Sequence, residues 1–242
     1  MASGSTDDVV GHFRLAYEAV VRFPVLIVPP LLVGLLGFAL LVFIGGGAAV
    51  MGALMGGALG GGHGAAAGGI AGFALGLFTF GLAMGVLWLL TSGMVVVMAR
   101  DALGGREPVL GDAFGAVVRR LGAVVAACFL VMVIVGIGFL FLVIPGLVAA
   151  VFLMFTLPAV LLDGLGAVDG IRRSVAVVRR HVGPVVGFVV GSLLVLVGLA
   201  IASWILSLVP FLGALASFVL HGAAVSYLTV VGVHLYRLLG TP

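Results

Sequence analysis

The chain has no lysine, asparagine or glutamine, and it carries little charge of any kind. All eleven cations are arginine, eight residues are acidic, and charged residues make up only 8% of the 242. A soluble domain carries about 25% charged residues, so a globule of this composition could not cover its surface in water. The solvent around the chain is therefore expected to be lipid. The three absent residue types are typical of GC-rich coding, which indicates a bacterium or an archaeon.

Cysteine occurs only once, at Cys128 in an apolar run, which excludes an internal disulfide and a cysteine-based metal site. The chain also lacks an HExxH motif, a phosphate-binding glycine loop and a pair of carboxylates within an apolar run. Ser174, His181 and Asp169 are the residue types of a catalytic triad. On one helix, however, Ser174 and His181 would lie roughly 10 Å apart along the axis, too far for a nucleophile to touch its base. No catalytic, cofactor or metal site is predicted, and the chain is not expected to be an enzyme.

Three long stretches contain no charged residue at all: 23–99, 121–162 and 181–236. A membrane-spanning helix needs roughly 20 apolar residues, so each stretch has room for two spans. Proline and glycine indicate the turns, at Pro145-Gly146 and at Pro210, and Pro158 is predicted to bend the fourth span near its end. The predicted spans are 25–44, 70–99, 121–143, 146–162, 184–207 and 212–236.

The segment between the first two predicted spans, 45–69, contains twelve glycines. Spacings such as Gly52 to Gly56 and Gly56 to Gly60 place small residues on one helix face, which can mark close helix packing in lipid. The simpler interpretation, which we expect here, is a flexible outer loop with at most a short surface helix.

A basic segment precedes each pair of spans, and its sequence repeats. AVVRR occurs at Ala116–Arg120 and again at Ala176–Arg180, and AVVRF occurs at Ala19–Phe23. The predicted fold is therefore all-α. It is a single polytopic membrane domain, 1–242, with six transmembrane helices as three hairpins, each preceded by an amphipathic helix on the cytoplasmic surface. Its repeat-like units are 7–99, 108–162 and 163–238.

Apolar residues at helical spacing predict each surface helix. Asp163 is the expected N-cap of the third. The predicted apolar faces are Phe13, Tyr17 and Val20 in the first helix; Leu110, Phe114, Val117 and Leu121 in the second; and Val168, Ile171, Val175 and Val178 in the third.

The position of the charges predicts the orientation. All eleven arginines and all eight acids lie before the first predicted span, between the second and third, between the fourth and fifth, or after the sixth. The positive-inside rule makes that side the cytoplasm. Both termini are therefore expected in the cytoplasm, with the chain in the plasma membrane of a prokaryote.

Two sets of residues are candidates for a site. Arginines on the surface helices would meet lipid headgroups, and anionic lipids would be preferred because the cytoplasmic leaflet is negative. A histidine inside a span can belong to a transport path, although a neutral histidine bonded between helices is the simpler interpretation of His221. The headgroup candidates are Arg119, Arg120, Arg172, Arg173, Arg179 and Arg180. The intramembrane polar candidates are His221, Ser203 and Tyr227.

Three runs carry a resemblance to a known family: IPGL at Ile144–Leu147, FTLPAVLLDG at Phe155–Gly164 and AVDGIRRSVAVVRRHVG at Ala167–Gly183. In these runs the chain resembles a group of prokaryotic six-span proteins that includes the membrane domain of some glycerophosphoryl diester phosphodiesterases. The resemblance covers nearly the whole layout and implies a membrane module. The phosphodiesterase activity of such fusions would lie in a separate soluble domain, and no catalytic residue carries over.

These observations leave three functions open. We expect a non-catalytic integral membrane module that interacts at its cytoplasmic face with membrane lipids, with a partner protein or with a second copy of itself, and not with nucleic acid. The alternative is a transporter or lipid-handling protein with a polar path near His221, and the third is an intramembrane enzyme. A cavity containing His221, Ser203 and Tyr227 would favour the transporter, whereas a solid interior would favour the module.

Overall fold

The structure is a computed structural model that describes residues 4–209 and 212–240, so the predicted turn at Pro210 lies outside the described residues. Every regular element within these ranges is a helix. Lipid offers no water to backbone amides and carbonyls, so long apolar runs satisfy them within helices. The helices are α1 (Gly4–Arg22), α2 (Val28–Leu40), α3 (Gly47–Leu103), α4 (Leu110–Arg119), α5 (Leu121–Phe141), α6 (Val143–Leu153), α7 (Thr156–Leu162), α8 (Ala167–Arg180), α9 (Val182–Leu206) and α10 (Leu212–Gly240). A 3-10 turn at Pro24–Ile27 precedes α2, and a π-helical segment at Leu41–Gly46 joins α2 to α3.

Within residues 4–209 and 212–240, five segments are long and apolar enough to cross a membrane, which indicates a membrane-embedded protein. The first has 80 residues, about 120 Å of helix at 1.5 Å per residue, and this is several times the thickness of a bilayer core. This first segment contains the first two predicted spans, so the ranges of the six predicted spans fall within five segments. These segments are Pro24–Leu103, Leu121–Phe141, Val143–Leu162, Val182–Leu206 and Leu212–Gly240.

The chain divides into two compact units, one formed by Leu31–Trp88 and the other by the chain before and after it. The Leu31–Trp88 unit is a helical hairpin. Its turn lies within α3 at Gly60 and Gly61, whose backbone angles are not helical. Gly61 has a φ of +61°, which glycine adopts readily because it has no Cβ.

Glycines also bring the two arms of this hairpin together. Gly52 lies against the backbone of Gly68, and Gly56 lies against that of Gly64, so a side chain at any of the four would collide with the facing arm. The predicted flexible loop over 45–69 is therefore wrong, because helix continues through this segment on both sides of the turn. The glycine spacing marks close helix packing instead.

In the other unit, α5 and α6 form a hairpin whose turn is at Leu142, where the backbone is extended. The predicted turn at Pro145-Gly146 is wrong. Pro145 lies in the first turn of α6, where a residue without an N–H loses no helical hydrogen bond. Gly146 is buried against the ring of Phe139, so a side chain there would collide with the ring.

The fourth predicted span is interrupted between α6 and α7, and this interruption agrees with the bend predicted from Pro158. α6 ends just before Met154, four residues ahead of the proline, because the proline ring clashes with the carbonyl at that distance. Ser174 of α8 bonds the backbone at the break. Its Oγ accepts the N–H of Phe155 at 3.1 Å and donates to the carbonyl of Phe152 at 2.7 Å. The break is thereby joined to α8.

The buried face of α8 differs from the predicted one. Gly170, Ser174, Val177 and Val178 are buried, whereas Val168 is 52% exposed. The face is shifted toward Gly170 and Ser174 because small residues allow α8 to lie close against α7.

The predicted faces of α1 and α4 are correct only in part, since Phe13 and Val117 of these faces do contact the core. In α1, Ala16 is fully buried, whereas Tyr17 is 63% exposed. In α4, Ala113 and Val117 are buried, whereas Phe114 is 49% exposed. Small side chains take the most buried positions on these helices, and one aromatic residue of each predicted face points outward.

Two hydrogen bonds join α10 to the N-terminal part of the chain. Ser226 Oγ donates to the carbonyl of Leu26 at 2.7 Å, and the Tyr227 hydroxyl donates to the carbonyl of Phe13 at 3.1 Å. The core cluster around these bonds contains the last turns of α3, part of α7 and the middle of α10. Its buried members include Val96, Met98, Ala102, Val160, Leu161, Val230 and Val233. This packing brings the C-terminal ends of α3, α7 and α10 to one place.

Candidate anion-binding site

The ends of α3, α7 and α10 meet around a cavity of about 350 Å³. Ligand pockets commonly have volumes of about 300–1,000 Å³. Its lining residues define what we name the arginine pocket: Arg100, Arg106, Leu162, Asp163, Tyr236, Arg237 and Gly240.

A glycine turn brings Arg106 back to the end of α3. Gly105 has a φ of +71°. The N–H of Arg106 bonds the carbonyl of Asp101 at 2.9 Å, and that of Gly105 bonds the carbonyl of Ala102 at 3.0 Å, which together form a Schellman cap. The Asp101 carboxylate then pairs with Arg100 at 3.0 Å and with Arg106 at 2.9 Å. One aspartate therefore holds two guanidinium groups close together.

Arg237 joins this pair from the last turn of α10. Its Nη1 donates to the carbonyl of Arg100 at 3.4 Å. Arg100 and Arg237 both lie in the last turns of their helices, where the negative end of the helix dipole favours a cation. The helix ends therefore stabilise these two arginines in the pocket and offset part of their positive charge.

Asp163 connects three helices at the wall of the arginine pocket. The prediction that it is the N-cap of α8 is wrong, because it directly follows α7 and α8 begins only at Ala167. Its carboxylate accepts a hydrogen bond from the Tyr236 hydroxyl, and Nε of Arg173 lies 3.8 Å away. Arg173 also donates to the carbonyl of Gly240. These contacts fix the relative positions of α7, α8 and α10.

The network is cationic overall, since it contains four arginines and two aspartates. Each guanidinium offers five N–H donors in a planar fork that matches carboxylate and phosphate, which is more than two aspartates can satisfy. The pocket therefore suits a phosphate-bearing anion. In the part of the chain that the structure describes, no group of three His, Cys, Asp or Glu side chains could hold a metal ion. The charged members of the network are Arg100, Arg106, Arg173, Arg237, Asp101 and Asp163.

The structure separates the six predicted headgroup arginines. Arg173 belongs to the network around Asp163. The guanidinium of Arg120 lies against Gly164, the residue that follows this aspartate. Arg172 lies 3.7 Å from Asp169 in an exposed ion pair on α8. The contact of this set with lipid headgroups stays a prediction. The remaining members, Arg119, Arg179 and Arg180, are exposed.

The sequence does contain a signal for pocket residues that the sequence analysis did not propose as site residues. Arg100 directly follows the first charge-free stretch, Asp163 the second and Arg237 the third. In each case, the first charged residue after the apolar stretch lines the pocket.

The three intramembrane polar candidates do not form one site. Nδ1 of His221 lies 2.7 Å from the carbonyl of Ser217 on its own helix, and the residue is exposed, so the predicted bond between helices is wrong. Tyr227 bonds Phe13 of α1 instead. Ser203, on α9, has a buried hydroxyl without a hydrogen-bond partner among the described residues.

Comparison of the chain with protein-family models, with curated proteins and with solved structures finds no match. Its function is therefore inferred from the geometry of the site.

Proposed function

We propose that this chain is a non-catalytic integral membrane protein that binds phosphate-bearing lipid headgroups in the arginine pocket. The observation that carries the proposal is the convergence of Arg100, Arg106 and Arg237 on one cavity at the ends of apolar helices. Basic pockets between membrane helices on the cytoplasmic side bind anionic headgroups. Guanidinium–phosphate hydrogen bonds are charge-assisted and often bidentate, which makes them stronger than bonds between neutral groups.

The proposed topology is six spans in three hairpins, with the arginine pocket and both termini on the cytoplasmic side of a prokaryotic plasma membrane. The turn at Gly60 and Gly61 supports this count, because it divides the 80-residue apolar segment into two antiparallel arms. The restriction of all eleven arginines to one set of connections supports the orientation. The resemblance to the membrane domain of glycerophosphoryl diester phosphodiesterases supports the same layout. The topology is tested by labelling single cysteines from the two sides of the membrane.

The exposed arginines of the surface helices would contribute in a different way. α1, α4 and α8 would lie in the membrane interface with their arginines toward the headgroups. Each such arginine gains about 1 kcal/mol from the anionic leaflet, and salt screens this gain. The arginine pocket instead holds a single headgroup by directed hydrogen bonds, so its affinity should depend less on salt.

The experiment compares arginines of the pocket with an arginine outside it, in the full chain purified in a neutral detergent. Arg106→Gln and Arg237→Gln each remove a pocket guanidinium, and Arg179→Gln is the control; all three arginines are exposed, so the variants differ in whether the arginine lines the cavity. Hydrogen bonds to charged groups contribute about 1.5–3 kcal/mol, so each pocket variant should weaken phosphatidic acid binding roughly tenfold or more. The control should weaken it only severalfold and only at low salt.

Bound phosphatidic acid is measured by native mass spectrometry across a salt series, and thermal unfolding confirms that each variant is folded. Equal affinities for the pocket and control variants at every salt concentration would show that the arginine pocket is not a headgroup site. The binding would then be ordinary surface attraction.

A further inference from the structure

An apolar groove lies on the helices that carry the arginine pocket, about one turn before it. It is a cavity of about 260 Å³ between α3, the α6–α7 break, α9 and α10. Ser92 and Thr229 also border it, and the Thr229 hydroxyl already bonds the carbonyl of Val225 on its own helix at 2.8 Å, while the other lining residues are apolar. The surface offered to a ligand is therefore mainly hydrocarbon. The lining includes Val96, Phe155, Pro158, Phe188, Gly232 and Val233.

The groove and the arginine pocket occupy consecutive turns of the same three helices. On each helix, a groove residue precedes a pocket residue by four positions. Four positions advance a helix by about 6 Å and return to nearly the same face. All three helices thus run from the groove to the pocket in the same direction, and on each of them the groove lies about one turn before the pocket. The pairs are Val96 and Arg100 on α3, Pro158 and Leu162 on α7, and Val233 and Arg237 on α10.

Two local features make the groove suitable for a hydrocarbon chain. The backbone groups freed at the helix break, on Phe155 and Phe152, are bonded by Ser174, so they do not need a polar ligand. Gly232 adds no side chain to the space, and a Cβ built there would lie 3.6 Å from the ring of Phe188. The groove therefore has an apolar wall and a gap at one glycine.

We infer that the two cavities hold one acylated phosphate lipid, with its phosphate among the arginines and the start of one acyl chain in the groove. This inference rests on the proposed headgroup site and adds that the ligand carries a chain. Glycerol phosphate in solution would satisfy the arginines but leave the groove empty. A neutral lipid would fill the groove but leave the excess positive charge without a counterion. Only a ligand with both parts complements both cavities.

The test uses the full chain in neutral detergent with three probes. Oleoyl lysophosphatidic acid has one chain and a phosphate, glycerol 3-phosphate has only the phosphate, and monoolein has only the chain. Gly232→Leu fills the groove, and Gly198→Leu is its matched control, because a Cβ at Gly198 meets nothing within 4 Å. Arg237→Gln removes a pocket charge. Binding is measured by native mass spectrometry and by ligand-induced thermal shift.

We expect lysophosphatidic acid to bind the parent chain and Gly198→Leu equally, and at least tenfold more weakly to Gly232→Leu and Arg237→Gln. Equal binding to the two leucine variants, or equal affinity for glycerol 3-phosphate and lysophosphatidic acid, would overturn the inference and leave the headgroup site intact. Unchanged binding by Arg237→Gln, or equal affinity for monoolein, would overturn the headgroup site as well. If Gly232→Leu does not fold, Gly232→Ala replaces it; its methyl would be in ordinary contact with Phe188, and an undiminished affinity would also overturn the inference.

Discussion

Replacing Ser174 with alanine should destabilise the protein, because this hydroxyl completes the backbone bonding at the α6–α7 break. Ser174 is fully buried. It accepts the N–H of Phe155 and donates to the carbonyl of Phe152. Alanine fits the same space but can do neither. Gly170, one turn earlier, lies against Val160, so the helices are too close for water to replace the hydroxyl easily.

The magnitude follows from the donor that is left without a partner. An unsatisfied buried donor costs about 1–3 kcal/mol. Hydrogen bonds between membrane helices average only about 0.6 kcal/mol and reach about 1.7, because the unfolded chain in a membrane also finds partners. The free energy of unfolding should therefore fall by about 1–2 kcal/mol, which is roughly a five- to thirtyfold change in the unfolding equilibrium.

The matched control is Ser192→Ala on α9. The Ser192 hydroxyl is buried, and within the described residues it has no hydrogen-bond partner. Removing it should therefore cost nothing or stabilise the chain slightly. Both variants are unfolded reversibly in mixed detergent, and their free energies of unfolding are compared with that of the parent. Equal losses for Ser174→Ala and Ser192→Ala would refute the role assigned to Ser174.

The helices were predictable from the sequence because lipid leaves an apolar run few alternatives to helix. The predicted spans 121–143 and 184–207 correspond to α5 and α9 within a few residues. The turns were less predictable. Pro145-Gly146 has the composition of a turn, yet proline also suits the first turn of a helix, and only the facing helix decides between them. The glycines of 45–69 have the composition of a loop, yet in lipid they allow two helices to touch.

The arginine pocket was predictable only in part. The charges that follow the three apolar stretches, Arg100, Asp163 and Arg237, are visible in the sequence, and the positive-inside rule predicts that they share one side of the membrane. Their convergence depends on contacts between distant positions. Tyr236 and Asp163 are 73 residues apart, and Arg237 and Arg100 are 137 apart. Periodicity within one helix carries no information about such contacts.

Two further predictions concern the hairpin and the orientation. Gly56→Val should lower the free energy of unfolding of the Leu31–Trp88 hairpin by about 1–3 kcal/mol, and with it the melting temperature, because the valine side chain would meet the facing backbone. Gly81→Val, with nothing within 4 Å, should not, and equal melting of the two variants would contradict the proposed packing. For the orientation, single cysteines are introduced after Cys128→Ala and treated with an impermeant thiol reagent in intact cells. The cysteines are placed at exposed turn residues. Gly146 and Gly213, which lie near the predicted turns, are unsuitable because they are buried. Cysteines at 62, 142 and 208 should react from outside, and those at 104 and 166 only after the membrane is opened. Because every arginine lies on the side of the second set, the reverse pattern would refute the orientation, and opposite results at 142 and 208 would refute the six-span count.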